Sequence, residues 1–210
     1  MKHLIKISDY NIRAKKENAN EDLMQNKMAV LLQLCKKKDR KAQRELFNHY
    51  KHKVYELIYK SLGPKFDIDD VLQQVFIELF KSLNYFKGQS SLDTWVYKIG
   101  SKICTTQLRK KYRKRQASIV YDSTQIDNDK NLNISEKNYE EEQKELEEVI
   151  YNALDKLEPE KRIVITLFEM EGRTLEEISE ILNIPLGTVK SRLFHGRKIL
   201  QKLLCNYIKE

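Results

Sequence analysis

Between Thr174 and Leu193 the chain reads TLEEISEILNIPLGTVKSRL. Counted from Leu175, this run meets three separate steric demands of a helix-turn-helix. The fifth position must be small where two helices cross, and it is Ser179. The ninth must accept a left-handed backbone, and it is Asn183, the best choice after glycine. The fifteenth must be an apolar wedge, and it is Val189. Thr174 and Glu177 form a T-x-x-E capping box at the start, and Pro185 pre-sets the backbone before the second helix. The chemistry such an element performs is hydrogen bonding to base edges in a DNA groove. Its second helix carries Thr188, Lys190, Ser191, Arg192, Phe194, His195, Arg197 and Lys198, with no acid until Glu210. Lys190 suits guanine O6 or N7, Ser191 a base or a phosphate, and Phe194 a thymine methyl. Arg192 and Arg197 suit phosphates. Taken singly, each of these cations reads equally well as a solvated surface residue.

A second cationic stretch lies upstream. From Thr94 through Tyr121 there are eight Lys or Arg and no Asp or Glu. Lys98, Lys102, Arg109 and Arg113 are spaced four, seven and four apart, which puts them on one helical face. Trp95, Tyr97 and Tyr112 are interleaved with them. Cations that follow phosphates beside aromatic rings that stack on bases suit single-stranded nucleic acid. For Trp95, burial in a core is the competing reading.

A third candidate surface is the polar face of a helix bearing Asp70, Gln73, Gln74 and Glu78. Ile77 sits exposed among them; an apolar residue on a polar face can mark a protein contact, although isolated exposed isoleucines are common. No catalytic pattern is present: there is no H-E-x-x-H, Cys-x-x-Cys, Gly-rich phosphate loop or G-x-S-x-G. His49 and His52 could share a metal on one helix face, though packing or surface histidines have the same spacing. No cofactor and no metal are expected.

These side chains need helices to position them, and the composition suits helices. The 210 residues include only six glycines and three prolines, with 40% hydrophobic and 33% charged residues. The net charge of +8 favours an anionic partner. Leu46, Tyr50, Val54, Leu57 and Ile58 form one amphipathic stripe in a helical stretch from Met28 to Leu62, which Gly63-Pro64 ends. A second helix, capped by Asp67 or Asp69, places Ile68, Val71, Leu72, Val75, Phe76, Leu79 and Leu83 on its apolar face. A third runs from about Leu92 to Arg115. Periodicity then dissolves into Ser, Asn and Asp up to about Asn138, the composition of a flexible linker. The stretch from Asp122 to Glu148 carries ten acids against three lysines. Helices resume from about Tyr139, with Val149, Ile150, Ala153, Leu154 and Leu157 on one face and Pro159 opening the next. The expectation is an all-α chain of two small helical domains: an extension over 1–27, a domain over 28–115, an acidic linker over 116–145 and a domain over 146–210. Limited proteolysis is expected to cut first within 116–138, leaving two helical fragments; uniform resistance there would contradict this division. Three widely spaced cysteines, no apolar run long enough for a bilayer and no signal-like N-terminus predict a cytoplasmic protein without membrane insertion.

Two long segments carry a resemblance. DDVLQQVFIELFKSLNYFKGQSSLDTWVYKIGSK, followed by LRKKYRKR, resembles region two of the sigma-70 superfamily, extracytoplasmic-function (ECF) group. ALDKLEPEKRIVITLFEMEGRTLEEISEILNIPLGTVKSRLFHGRKIL resembles region four. The resemblance implies a sigma factor, not an enzyme, whose partners are core RNA polymerase (β′ clamp helices and β flap) and promoter DNA. An anti-sigma factor is the further partner it admits. Asp70, Gln73, Gln74, Val75, Phe76, Ile77 and Glu78 would then dock on polymerase. Trp95, Tyr97, Lys98, Lys102, Arg109 and Arg113, with the loop around Tyr85–Ser91, would hold the minus-ten element. Thr188, Lys190, Ser191, Arg192, Phe194, His195 and Arg197 would read the minus-thirty-five element. The chain departs from the family pattern at Lys102 and Thr106, where Asn and Asp are common, and at His195 and Gly196, where Arg and Ala are common. A stand-alone helix-turn-helix regulator and a helical nucleic-acid-processing enzyme are the alternatives, and co-purification with core polymerase separates all three.

Overall fold

A computed structural model describes residues 27–121, 139–205 and 207. The extension and the central part of the expected linker, 122–138, lie outside the described residues. Every regular element among the described residues is helical, as the composition predicts. In chain order they are α1 (27–36), α2 (Arg40–Leu62), α3 (Ile68–Ser82), a 3-10 turn (Leu83–Tyr85), α4 (Leu92–Tyr121), α5 (Tyr139–Asp155), α6 (Pro159–Ile165), a π-helical turn (Thr166–Met170), α7 (Leu175–Leu182) and α8 (Leu186–Leu204).

Local chemistry sets most of the boundaries. The expected single stretch from Met28 to Leu62 is broken between α1 and α2. Lys38 adopts φ 63° there, and the Asp39 carboxylate accepts the Ala42 N–H at 2.8 Å to start α2. Asp67, rather than Asp69, caps α3 by accepting the Asp70 N–H at 3.0 Å. Ser91 caps α4 through the Thr94 N–H at 3.0 Å. α4 continues to Tyr121 instead of ending near Arg115, because Gln116 and Ala117 favour helix and no Gly or Pro intervenes. Pro159 occupies the first turn of α6, where its missing N–H costs nothing.

The chain forms two compact units. Among the described residues, one comprises those up to His52 together with Phe76–Lys87, and the other Lys53–Val75 together with those from Gly88 onward. Within the first, Leu31, Cys35, Ala42, Leu46, Tyr50, Phe76, Leu79 and Leu83 are buried, and the Phe47 and Phe76 rings meet at 4.5 Å. Within the second, α4 packs on α6 and α7, and α8 packs on α5, α6 and α7. Its core includes Val54, Leu57, Ile58, Leu62, Val96, Ile103, Leu154, Leu157, Ile163, Val164, Leu167, Ile178 and Val189. Each fully buried Leu or Ile is worth roughly 1.5–3 kcal/mol over exposure. The helices the sequence assigns to 146–210 therefore close directly onto α4 and the end of α2, inside one unit.

Candidate nucleic-acid interface

The helix-turn-helix is built as its residue types require. Thr174 Oγ1 accepts the Glu177 N–H at 3.1 Å, and the Glu177 carboxylate accepts the Thr174 N–H at 2.8 Å. Asn183 is left-handed at φ 52°, and Ser179 Oγ donates to the Ile184 carbonyl at 2.7 Å across the turn. Val189, on the inner side of α8, is fully buried. With that side fixed, Lys190, Ser191, Phe194, His195 and Arg197 are exposed on α8, while Thr188 and Arg192 are half-buried. Phe194 is 63% exposed, an aromatic ring held in water on a cationic helix. Arg197 is occupied, its Nε donating to Glu169 at 2.6 Å while its guanidinium lies 5.0 Å from the Phe168 ring centroid. Gly196 allows α8 to approach α6: a Cβ there would stand 2.9 Å from Ile165 Cγ1. Gly196→Ala should therefore lower the thermal stability of the chain, by about 1–3 kcal/mol from overpacking. An unchanged melting temperature would contradict this reading of the glycine.

α4 presents the cations of its basic face to solvent. Lys98, Lys102, Arg109 and Arg113 are exposed. Lys98, Lys102 and Arg109 line one groove of about 380 Å³ with Arg192, closed by Glu160 and by Ile163, Ile181 and Ile184. Arg109 Nε donates to Glu160 at 2.8 Å, Lys111 Nζ pairs with Asp155 at 2.6 Å, and Arg115 donates to the Asp155 carbonyl. Tyr97 is buried. Its hydroxyl donates to Glu171 at 2.7 Å and its ring carries the Arg173 guanidinium at 4.0 Å. Burial, with the Glu171 hydrogen bond, pushes the Tyr97 phenol up to about 12. Trp95 is half-buried.

Burial pushes the Asp155 carboxyl up, but hydrogen bonds from Lys111 and Arg162 outweigh it and leave the group below the ordinary carboxylate range. Glu160 is likewise lowered: burial opposes, while Arg109, a backbone N–H and the charge of Arg192 prevail. With both folded values depressed, the contribution of these pairs is complete above the ordinary carboxylate pKa. It fades as pH falls through the lowered values.

Arg162, which sequence reasoning missed, is 2% exposed. Its Nε donates to the Ser61 carbonyl at 2.7 Å and its Nη2 to the Leu62 carbonyl at 2.9 Å, while Nη1 pairs with Asp155. Its signal was present: an arginine inside the apolar run RIVITLF must find partners or pay a large desolvation cost. Glu160 and Glu171, also missed, looked like ordinary surface acids.

On α3, Asp70, Gln73, Gln74, Ile77 and Glu78 are exposed, with Ile77 at 53%. Val75 and Phe76 are buried, so they brace this face from behind instead of lying on it. Gln74 accepts a hydrogen bond from Gln107 at 3.2 Å. Tyr85, in the 3-10 turn, is 81% exposed. Among the described residues no group of three or more His, Cys, Asp or Glu could hold a metal ion, and His49 and His52 are both exposed. No helix of the described residues is long and apolar enough to cross a membrane.

Comparison with known proteins agrees with this geometry. The family described as Sigma-70 region 2 matches residues 46–114, and Sigma-70, region 4 matches residues 147–200. The ECF RNA polymerase sigma-E factor of Escherichia coli is 32% identical over 182 residues, covering 81% of this chain and 91% of that protein. The Haemophilus influenzae sigma-E factor is 30% identical over 175 residues, covering 82% and 92%. Among solved structures, CnrH in complex with the cytosolic domain of CnrY aligns with a TM-score of 0.57 at 20% identity, over 84% of this chain and 96% of that one. The Bartonella quintana sigma factor RpoE, solved with the anti-sigma factor NepR, aligns with a TM-score of 0.54 at 23% identity, over 80% and 98%. At these identities the two structures speak for the fold, and the sigma-E relatives for the lineage. With both sigma regions matched in order and a helix-turn-helix within the second, the chain belongs to the ECF group of RNA polymerase sigma factors, which direct transcription initiation at specific promoters.

Proposed function

We propose a division of labour among the surfaces of this sigma factor. The exposed α3 side chains Asp70, Gln73, Gln74, Ile77 and Glu78 dock on the β′ clamp helices of core polymerase, and Val75 and Phe76 hold that face rigid. The exposed Tyr85, Trp95 and the cations Lys98, Lys102, Arg109 and Arg113 take the melted minus-ten strand, by aromatic stacking and phosphate pairing. Tyr97 serves them as a core support. The α8 face reads the minus-thirty-five element, and the C-terminal helices meet the β flap. The protein has no catalytic role of its own and works in the cytoplasm, where its polymerase is. An anti-sigma factor is a partner of the related RpoE, and we infer one here as well.

The observation that carries this reading is the α8 surface. Lys190, Ser191, Phe194 and His195 project into solvent from a helix-turn-helix whose every turn contact is made. Lys190 and His195 therefore contact bases. Removing a base contact should change preference at one position by about 1–3 kcal/mol, whereas removing a phosphate contact weakens all sequences alike. Selection of minus-thirty-five variants with Lys190→Ala and His195→Ala holoenzymes measures this, and an unchanged sequence profile would sink the assignment. Arg197→Ala, a phosphate contact in this scheme, should weaken all promoters evenly.

A further inference from the structure

The corner between α1 and α2 carries charge that the fold does not need. α1 closes in a Schellman turn: the Lys38 N–H donates to the Cys35 carbonyl at 2.9 Å and the Asp39 N–H to the Leu34 carbonyl at 3.1 Å. The residue at its left-handed position is normally glycine, which adopts that backbone without a steric penalty; here it is Lys38, at φ 63°. α2 then opens with Arg40 and Lys41 and no acid in its first turn, where the positive end of the helix dipole disfavours cations. Arg44 follows one turn later. From Lys36 to Arg44 six residues are Lys or Arg and only Asp39 is acidic, its carboxylate engaged by the Ala42 N–H at 2.8 Å. Lys37, Lys38, Arg40, Lys41 and Arg44 are exposed, and none of them makes an ion pair among the described residues. Lys36 is fixed instead: its ammonium donates to the Phe86 carbonyl at 3.0 Å, which fastens the corner to the turn bearing Tyr85, 81% exposed, and the exposed Lys87. The dipole of α1 accounts for cations at its own C-terminus. A left-handed lysine, first-turn cations on α2 and the crowding of like charge all cost stability, and an anion placed at the corner would offset the last two.

We propose that this corner is a phosphate-binding surface, on which Lys38, Arg40, Lys41 and Arg44 hold the backbone of the melted promoter strand where it leaves Tyr85. The proposal rests on the assignment of Tyr85 to that strand and lengthens the strand's path across the unit formed by α1, the first part of α2 and the end of α3. The corner has cations but no exposed aromatic ring, since Phe47 is half-buried against Phe76. It therefore grips phosphates without stacking on bases, and its contribution is the same for every sequence. The fastening of Lys36 to Phe86 is what favours the strand over an acidic protein surface as the occupant: the cations continue directly from the aromatic ring that the strand would meet.

The test uses holoenzyme and two forked promoter fragments. In one the single strand stops at the end of the minus-ten element; in the other it continues for four more nucleotides. The wild-type holoenzyme should bind the longer fork about tenfold more tightly at low salt, whatever the added sequence. The triple variant Arg40→Gln, Lys41→Gln and Arg44→Gln should lose that gain. Its log–log salt slope on the longer fork should be shallower by about 2, the value for three single-strand phosphates. Lys38→Gly separates function from folding: the melting temperature of the free chain should rise as the strained position is relieved, while the gain from the longer strand shrinks. A lowered melting temperature, or an undiminished gain in both variants, would overturn the proposal. So would loss of co-purification with core polymerase by the triple variant, which would place an acidic polymerase surface at the corner instead. The wild-type protein separates the two levels. Failure to bind even the short fork defeats the minus-ten assignment, while tight binding to the short fork with no gain from the longer one defeats the corner alone.

Discussion

Replacing Asp70, Gln73 and Gln74 together by Ala is expected to abolish promoter-dependent run-off transcription while the circular dichroism spectrum and melting temperature stay close to wild type. All three side chains are exposed on α3, so truncation opens no cavity, and surface substitutions of this kind typically cost within about 0.5 kcal/mol of stability. What they remove, on the proposed assignment, is a contact surface for polymerase, and the few residues at the centre of an interface carry most of the binding energy. Losing two or three such contacts at about 2 kcal/mol each weakens assembly a hundredfold or more. Val75→Ala makes the contrast. It lies behind the same face and is fully buried, so it should lower the melting temperature through a core cavity. Normal transcription by the triple variant would remove α3 from the polymerase contact.

The second large effect concerns affinity for DNA. The free chain should bind a promoter fragment weakly and the holoenzyme tightly, with a ratio of roughly 10²–10⁴. Two causes act together. Under the proposed division of labour neither α8 nor α4 alone offers more than a small cationic surface, and polymerase gains by holding both at the separation a promoter requires. In addition, Arg109 and Lys111 are already paired to acids in the free chain. The same pairing predicts a shallow salt dependence for the free chain and a steeper one for the holoenzyme, because more phosphates are neutralised in the latter. Equal affinities in anisotropy titrations at matched salt would describe an autonomous DNA-binding regulator.

The helix-turn-helix was legible residue by residue because its demands are local. Thr174 and Glu177 satisfy each other, Asn183 supplies its own left-handed turn, and Val189 needs only the helix before it. Apolar stripes such as Leu46 to Ile58 and Ile68 to Leu83 likewise proved to be core positions, since burial is the main thing periodicity encodes. The α1–α2 break was not legible, because Lys38 turns the chain without Gly or Pro. Tyr97 shows a further limit. Its spacing put it among exposed cations, yet a partner 74 residues away, Glu171, gives its hydroxyl a place inside. Arg162 was the largest omission, for the same reason. Its carbonyl acceptors lie 101 and 100 residues away, and nothing near it in sequence announces them. The polar contacts between α2 and the C-terminal helices are encoded by the unsatisfied polarity each partner would have alone.

The central claim is that this chain gives core polymerase its promoter choice. Reconstituting it with the core RNA polymerase of its own organism, and mapping the 5′ ends of transcripts made in vitro from fragmented genomic DNA, tests that claim most directly. Start sites that appear only when the chain is added, and that share paired upstream elements, are the predicted result. A chain that fails to co-purify with core polymerase, or leaves the transcript ends unchanged, would contradict it.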